Sequence, residues 1–274
     1  MDERYKLNTI AIKARYWNPN CNKFSGTDSE EAFRKNLLKM PSDWKYRTKE
    51  IEYNVNSLGY RTKEFDQIDH SNFFIAYGCS FTFGVGLAED EMWTTTLAEE
   101  LGMDCFNLGM GGSGMDYAYL NTLTYLKNTS IRPKFVALQC PEPARMVMRS
   151  LEHFELSGPS FPGTNGAVDM YNQAIKDGSW MYNTYLALYN FLVFWETAGV
   201  PVYLWAGTDV WEELGPNLNW NYHWPYDDEA IYENRARDLI HFPASYQIRT
   251  GKTIAEHIKN DPKFGLCSVD NMPK

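Results

Sequence analysis

The chain has no cysteine pairs. Its five cysteines, at 21, 79, 105, 140 and 267, are odd in number, scattered and without a C-x-x-C, which argues for free thiols in a reducing compartment and against a structural zinc. It also lacks a long hydrophobic run. The greasiest stretch, Leu186 to Trp195, is interrupted by Asn190 and falls well short of the roughly 20 residues needed to cross a bilayer, so no membrane association is expected. The opening Met1-Asp2-Glu3-Arg4-Tyr5-Lys6 is charged and leads into no apolar core with a small-residue cleavage site. No secretory signal is read from it, and a cytoplasmic or otherwise signal-free location is expected. Basic clusters are missing as well: 35 acidic residues face 26 basic ones, a net charge of -9, which makes nucleic acid a poor partner. Asp227, Asp228 and Glu229 are consecutive acids without spaced partners. They read as a solvated helix start, and no metal is expected.

What is present suits a soluble globular chain. A length of 274 residues, 44% hydrophobic and 22% charged, is enough to bury about three quarters of the unfolded surface in one core. Phe73-Phe74-Ile75-Ala76-Tyr77 is short, aromatic and β-branched, and predicts a strand buried on both faces. It runs into Gly78-Cys79-Ser80-Phe81-Thr82-Phe83-Gly84, where glycines bound a turn that presents Ser80. From there strand and helix alternate, the signature of a parallel sheet covered by helices. Helices are predicted over 91–101, 115–127, 168–199 with a break at Gly178, and 250–259. Strands are predicted over 104–108, 134–139 and 201–206. Residues 150–167 read as a long loop, and Lys49 to Val55 alternates like a strand with one exposed face. By composition residues 1–70 form an N-terminal embellishment, 71–262 the main domain and 263–274 a tail.

Three signals in order resemble the SGNH (GDSL-like) hydrolases: Gly78-Cys79-Ser80-Phe81-Thr82-Phe83-Gly84, then Asn107-Leu108-Gly109-Met110-Gly111-Gly112, then Asp238-Leu239-Ile240-His241. Asn56-Ser57-Leu58-Gly59-Tyr60-Arg61 is similar to a turn often found just upstream of the first block. The resemblance spans residues 73–260. It implies a flavodoxin-like three-layer α/β/α sandwich with a mostly parallel sheet, and ester or acyl-transfer chemistry without a cofactor. By position it implies Ser80 as nucleophile, His241 as general base and Asp238 as the carboxylate that orients the imidazole. A serine hydroxyl needs a base to take its proton, and the base needs a third group to fix its tautomer. His241 alone among the five histidines (70, 153, 223, 241, 257) has Asp three residues before it.

The same resemblance implies that backbone N–H groups of Ser80 and Gly112 hold the oxyanion. The family's third donor, an Asn after the third strand, is absent. Gln139-Cys140-Pro141-Glu142 stands there, with Gln139 the nearest chemical substitute and Arg145 a candidate for an anionic substrate group. Cys79 reads as a small buried cysteine rather than a nucleophile. Gly109 to Gly114 matches G-x-G-x-x-G, but it lies in the second strand–helix unit, and the next strand ends in Gln139 without a ribose-binding acid; a dinucleotide is therefore not expected. The aromatic run Trp211 to Tyr232, including Trp220 and Trp224, suits stacking of a sugar or apolar acyl group, or burial of its own rings. The expectation is a serine esterase acting on a small acyl ester, with acetyl on a glycan as the substrate class. The alternatives are a non-catalytic glycan-binding or assembly module, and an O-acyltransferase using the same residues.

Overall fold

The computed structural model describes residues 9–14, 22–143, 145–149, 154–157, 173, 176–206, 222–223 and 235–265. Trp220 and Trp224 lie outside these, as does most of the aromatic run around them. The described strands are β1 (Phe73–Tyr77), β2 (Asp104–Asn107), β3 (Val136–Cys140), β4 (Met146–Arg149), β5 (Phe154–Ser157), β6 (Val202–Ala206) and β7 (Tyr222–His223). The α-helices are α1 (Glu30–Lys39), α2 (Ser80–Phe83), α3 (Trp93–Leu101), α4 (Met115–Asn128), α5 (Ser179–Thr197) and α6 (Ala244–Asn260). No described helix is long and apolar enough to cross a membrane.

The main sheet has the order β2-β1-β3-β6-β7, with every pairing parallel. Counted within the sheet this is the flavodoxin-like order. The chain leaves β1 for the β2 side and returns to β3 on the other, so a topological switch lies between β1 and β3. Side chains that alternate along each strand feed two cores. Phe73, Ile75, Tyr77, Val136 and Leu138 pack towards α4 and α5 with Phe191 and Trp195. Phe74, Ala76, Ala137, Tyr203 and Trp205 pack towards α3 and α6 with Trp93, Leu97, Ile254 and Ile258. Burial of both faces explains why β1 reads as an unbroken apolar run, and each large side chain so buried contributes roughly 1.5–3 kcal/mol. The three-layer α/β/α fold is as the resemblance implied.

The N-terminal residues share these cores. Ala11, Ile12, Ala14 and Tyr60 join the α4–α5 side, while Trp44, Tyr46, Ile51 and Tyr53 form a cluster with Phe83 and Val85, just past α2. Three expectations change. Residues Lys49 to Val55 form no strand: Ile51 and Tyr53 are buried and their neighbours exposed, but the Glu52 carbonyl accepts from Arg61 Nη2 at 2.7 Å instead of from a ladder. The alternation there reports burial alone. Within 150–167, Phe154–Ser157 is a strand paired antiparallel with the nearby Met146–Arg149, which the glycine and proline content of the following residues obscured. The last helix begins at Ala244, behind Pro243 as N-cap, because Pro fixes an extended approach from which a helix can start.

Candidate active site

Ser80 is the first residue of α2, directly after β1, and is buried with its hydroxyl 4.0 Å from Cys79 Sγ. The turn that carries it closes tightly. A Cβ on Gly78 would come within 2.7 Å of Gln139 Oε1 and would collide with the Thr82 side chain, so this position demands glycine. The second block folds over the same turn: Met110 N–H and Ser113 Oγ both donate to the Gly78 carbonyl at 3.0 Å. Asn107 Nδ2 donates to the Thr82 carbonyl at 2.8 Å, and Asn107 Oδ1 accepts from Gly109 N–H at 2.8 Å. Gly109 lies so close to α2 that a Cβ there would meet Phe83 N at 2.7 Å. Gly109 thus serves close packing. Among the described residues neither the Ser80 nor the Gly112 amide N–H is spent on an internal partner.

Asp238 and His241 sit on the loop that leads into α6. His241 Nδ1 and Asp238 Oδ2 are 2.6 Å apart. Asp238 Oδ1 accepts from the backbone N–H groups of Ile240 at 3.0 Å and His241 at 3.1 Å, and Thr27 Oγ1 donates to Oδ2 at 2.6 Å. Burial pushes the Asp238 carboxyl up, but hydrogen bonds from the His241 ring, Thr27 and the His241 backbone, with electrostatic attraction from His241, outweigh it. The carboxyl is held below its usual range. The aspartate is therefore an anion with fixed geometry, as an orienting group requires.

The ring of His241 packs against that of Phe81, the residue after Ser80, with centroids 5.1 Å apart and an interplanar angle of 66°. Gln247 on α6 donates to the Phe81 carbonyl at 3.3 Å and accepts from Trp93 N–H at 3.3 Å. Blocks 160 residues apart in sequence therefore meet at the carboxyl end of β1. Ser80 Oγ makes no hydrogen bond to the imidazole in this arrangement. Such contacts are often loose in an unliganded site and tighten with substrate.

Gln139, at the end of β3, is buried beneath the turn. Its Oε1 accepts from Cys79 N–H at 3.1 Å, Cys79 Sγ at 3.3 Å and Thr82 Oγ1 at 3.2 Å, and its Nε2 donates to the Cys140 carbonyl at 2.9 Å. That places its amide in the support of the turn that carries Ser80. Replacing Gln139 with Leu would leave buried Cys79 N–H and Thr82 hydroxyl groups without their acceptor, and is expected to cost about 1–3 kcal/mol in a urea unfolding titration. Arg145 lies beside the second block, since a Cβ on Gly114 would collide with the Arg145 carbonyl, and Nη1 of Arg145 is buried without a hydrogen-bond partner. The thiol of Cys140 is pushed up by burial, as an unreactive cysteine would be.

Sequence reading missed Thr27, Asp28, Tyr53 and Arg237, which surround the Asp238 loop. No local signal marks them, because their partners lie as far as 211 residues away along the chain. Arg61 of the upstream turn is buried and its Nη1 donates to the carbonyls of Gly84 at 2.8 Å and Leu87 at 3.0 Å, bracing the segment that follows α2.

No protein-family model matches the chain, and no curated protein is a significant match. Solved structures similar to it include a Desulfitobacterium hafniense protein described as lipolytic and of the G-D-S-L family, at 14% identity and a TM-score of 0.42, covering 68% of this chain and 99% of that one. An acetyl xylan esterase from Butyrivibrio proteoclasticus matches at 11% identity and a TM-score of 0.46, over 72% of this chain and 65% of that one. A carbohydrate acetylesterase family member from Sinorhizobium meliloti matches at 10% identity and a TM-score of 0.42, over 71% and 100%. These descriptions coincide with the family that the three blocks resemble, but at such TM-scores and identities the likeness decides no activity for this chain.

Proposed function

We propose that the protein is a serine esterase that removes a small acyl group, an acetyl group on a glycan foremost, through an acyl-enzyme on Ser80. The reading rests on one observation: the Asp238–His241 pair, closed at 2.6 Å, is packed onto the residue next to Ser80. In this scheme Ser80 Oγ attacks the ester carbonyl while His241 Nε2 takes its proton. Asp238 keeps the other ring nitrogen protonated, which leaves Nε2 free to accept. The unspent N–H groups of Ser80 and Gly112 receive the oxyanion. His241 then returns the proton to the leaving alcohol, and water or an acceptor hydroxyl releases the acyl group by the reverse path.

One observation favours the non-catalytic alternative. The oxygen of the Gln139 amide is taken by the turn and one of its two Nε2 hydrogens by the Cys140 carbonyl, so the side chain is held as a support of the turn, and a site working without a third oxyanion donor loses roughly 10²–10³ in rate. Treatment with a fluorophosphonate separates the two readings without knowledge of the ester. A single adduct mapped to the Ser80 peptide is the expected result. A folded protein that takes no adduct and turns over no acetyl ester would point to the binding module.

A further inference from the structure

The loop bearing Asp238 and His241 has an irregular backbone: Leu239, with φ +59°, is the one described non-glycine residue in the left-handed region. Something outside the loop must hold it. The grip comes from a turn more than 200 residues earlier, Ser25-Gly26-Thr27-Asp28, closed by Ser25 N–H to the Asp28 carbonyl at 2.9 Å and Asp28 N–H to the Ser25 carbonyl at 3.2 Å. Two adjacent residues of this turn hold two adjacent residues of the loop. Thr27 Oγ1 donates to Asp238 Oδ2 at 2.6 Å. The fully buried Asp28 accepts from Arg237 Nε at 2.9 Å and Nη2 at 2.7 Å.

The surrounding contacts close the same frame. Asn36 Nδ2 on α1 donates to the Arg237 carbonyl at 3.0 Å, and Arg237 N–H donates to the Gly86 carbonyl at 2.9 Å. The Tyr53 hydroxyl bonds Asp28 and accepts from Gly86 N–H at 2.8 Å. Arg235 Nη1 donates to the Leu239 carbonyl at 3.0 Å. The charged and titratable groups around Asp238 are then His241, which bonds it, Arg237, which faces Asp28, Tyr53, which is held neutral by burial and by Asp28, and Arg235, which braces the loop.

We propose that Thr27 and Asp28 are positioning residues of the active site, so that the N-terminal segment completes the catalytic apparatus rather than decorating it. Thr27 donates to the same oxygen that receives the imidazole N–H. It fixes the direction of that oxygen and draws off part of its charge. Asp28 sets the height of the loop through Arg237. The effect on rate rests on the esterase reading; the hydrogen bonding does not.

Thr27 is exposed, so Thr27→Val removes the donor without opening a core cavity. With the donor gone, more negative charge faces the imidazole and favours its protonated form. The expected result is a pH midpoint of the His241 ring resonances, followed by NMR, that moves upward in Thr27→Val and returns to the wild-type position in Thr27→Ser. Fluorophosphonate labelling near neutral pH should slow by roughly ten- to a hundredfold in Thr27→Val and recover in Thr27→Ser, with the melting temperature little changed. A midpoint at or below the wild-type value in folded Thr27→Val would overturn the proposal. Wild-type protein that takes no label would instead sink the esterase reading, and the ring titration would still decide the role of Thr27.

Discussion

Ser80→Ala is expected to remove the fluorophosphonate adduct completely and to lower turnover of a small acetyl ester by up to about 10⁶-fold, the scale seen when a triad nucleophile is deleted. The protein should stay folded. Ser80 is only 7% exposed, but its hydroxyl makes no stronger contact than the 4.0 Å approach to Cys79 Sγ, so the change removes one atom and no strong hydrogen bond. Stability within about 1 kcal/mol of wild type is the expectation. Cys79 is the competing nucleophile by position. Its thiol instead points to Gln139 Oε1 at 3.3 Å, under the turn, and Cys79→Ser is expected to keep the adduct on Ser80. An adduct that persists in Ser80→Ala, or that maps to residue 79 in the wild type, would refute the assignment.

Asp238→Asn is the second large effect. Asp238 Oδ1 already receives two backbone N–H groups, and Oδ2 receives Thr27 and His241. Asn can satisfy the backbone with its oxygen, but its NH₂ then confronts the two remaining donors. The imidazole must turn its proton to Nε2 to accept at Nδ1, and in that tautomer it cannot take the serine proton. A loss of roughly 10⁴ in turnover is expected with little change in substrate affinity. The same variant has a stability signature. The folded Asp238 carboxyl sits below its unfolded range, so the folded state binds fewer protons there than the unfolded chain does. Its contribution is complete above the ordinary carboxylate range, near pH 5 and upward, and is lost progressively as pH falls through and below about pH 4. Urea midpoints measured between pH 7 and pH 3 should fall less steeply for Asp238→Asn than for the wild type. Parallel curves would show that Asp238 is not the ionised partner of His241.

Sequence alone went far where short-range physics dominates. The apolar run at 73–77 can only be satisfied by burial on both faces, and β1 lies inside the sheet between β2 and β3. The tight glycine at 78 follows from local sterics, whereas the short helix that begins at Ser80 stood in the sequence only as a glycine-bounded turn. Three-residue spacing was enough to place Asp238 and His241 on one turn. The long helix was cut where Gly178, at φ +75°, cannot continue it. Where the pattern was ambiguous, burial without a partner strand imitated a strand at 49–55, and the brief Phe-Glu-Leu-Ser alternation of a real strand at 154–157 was obscured by the Gly-, Pro- and Ser-rich residues that follow it.

The elements, their alternation and the residue types that could do ester chemistry are legible along the chain, because sterics and hydrophobic periodicity act within a few residues. Which polar groups meet depends on the packed fold. Gln139 has an amide whose two ends can serve different partners, and the switch between β1 and β3 sets it beneath the turn, where Cys79 and Thr82 take its oxygen. Thr27 and Asp28 carry no motif. They reach Asp238 and Arg237 because the chain folds its first residues back against the loop before the last helix. Hydrogen bonds and ion pairs of that kind depend on positions in space, which no window of sequence contains.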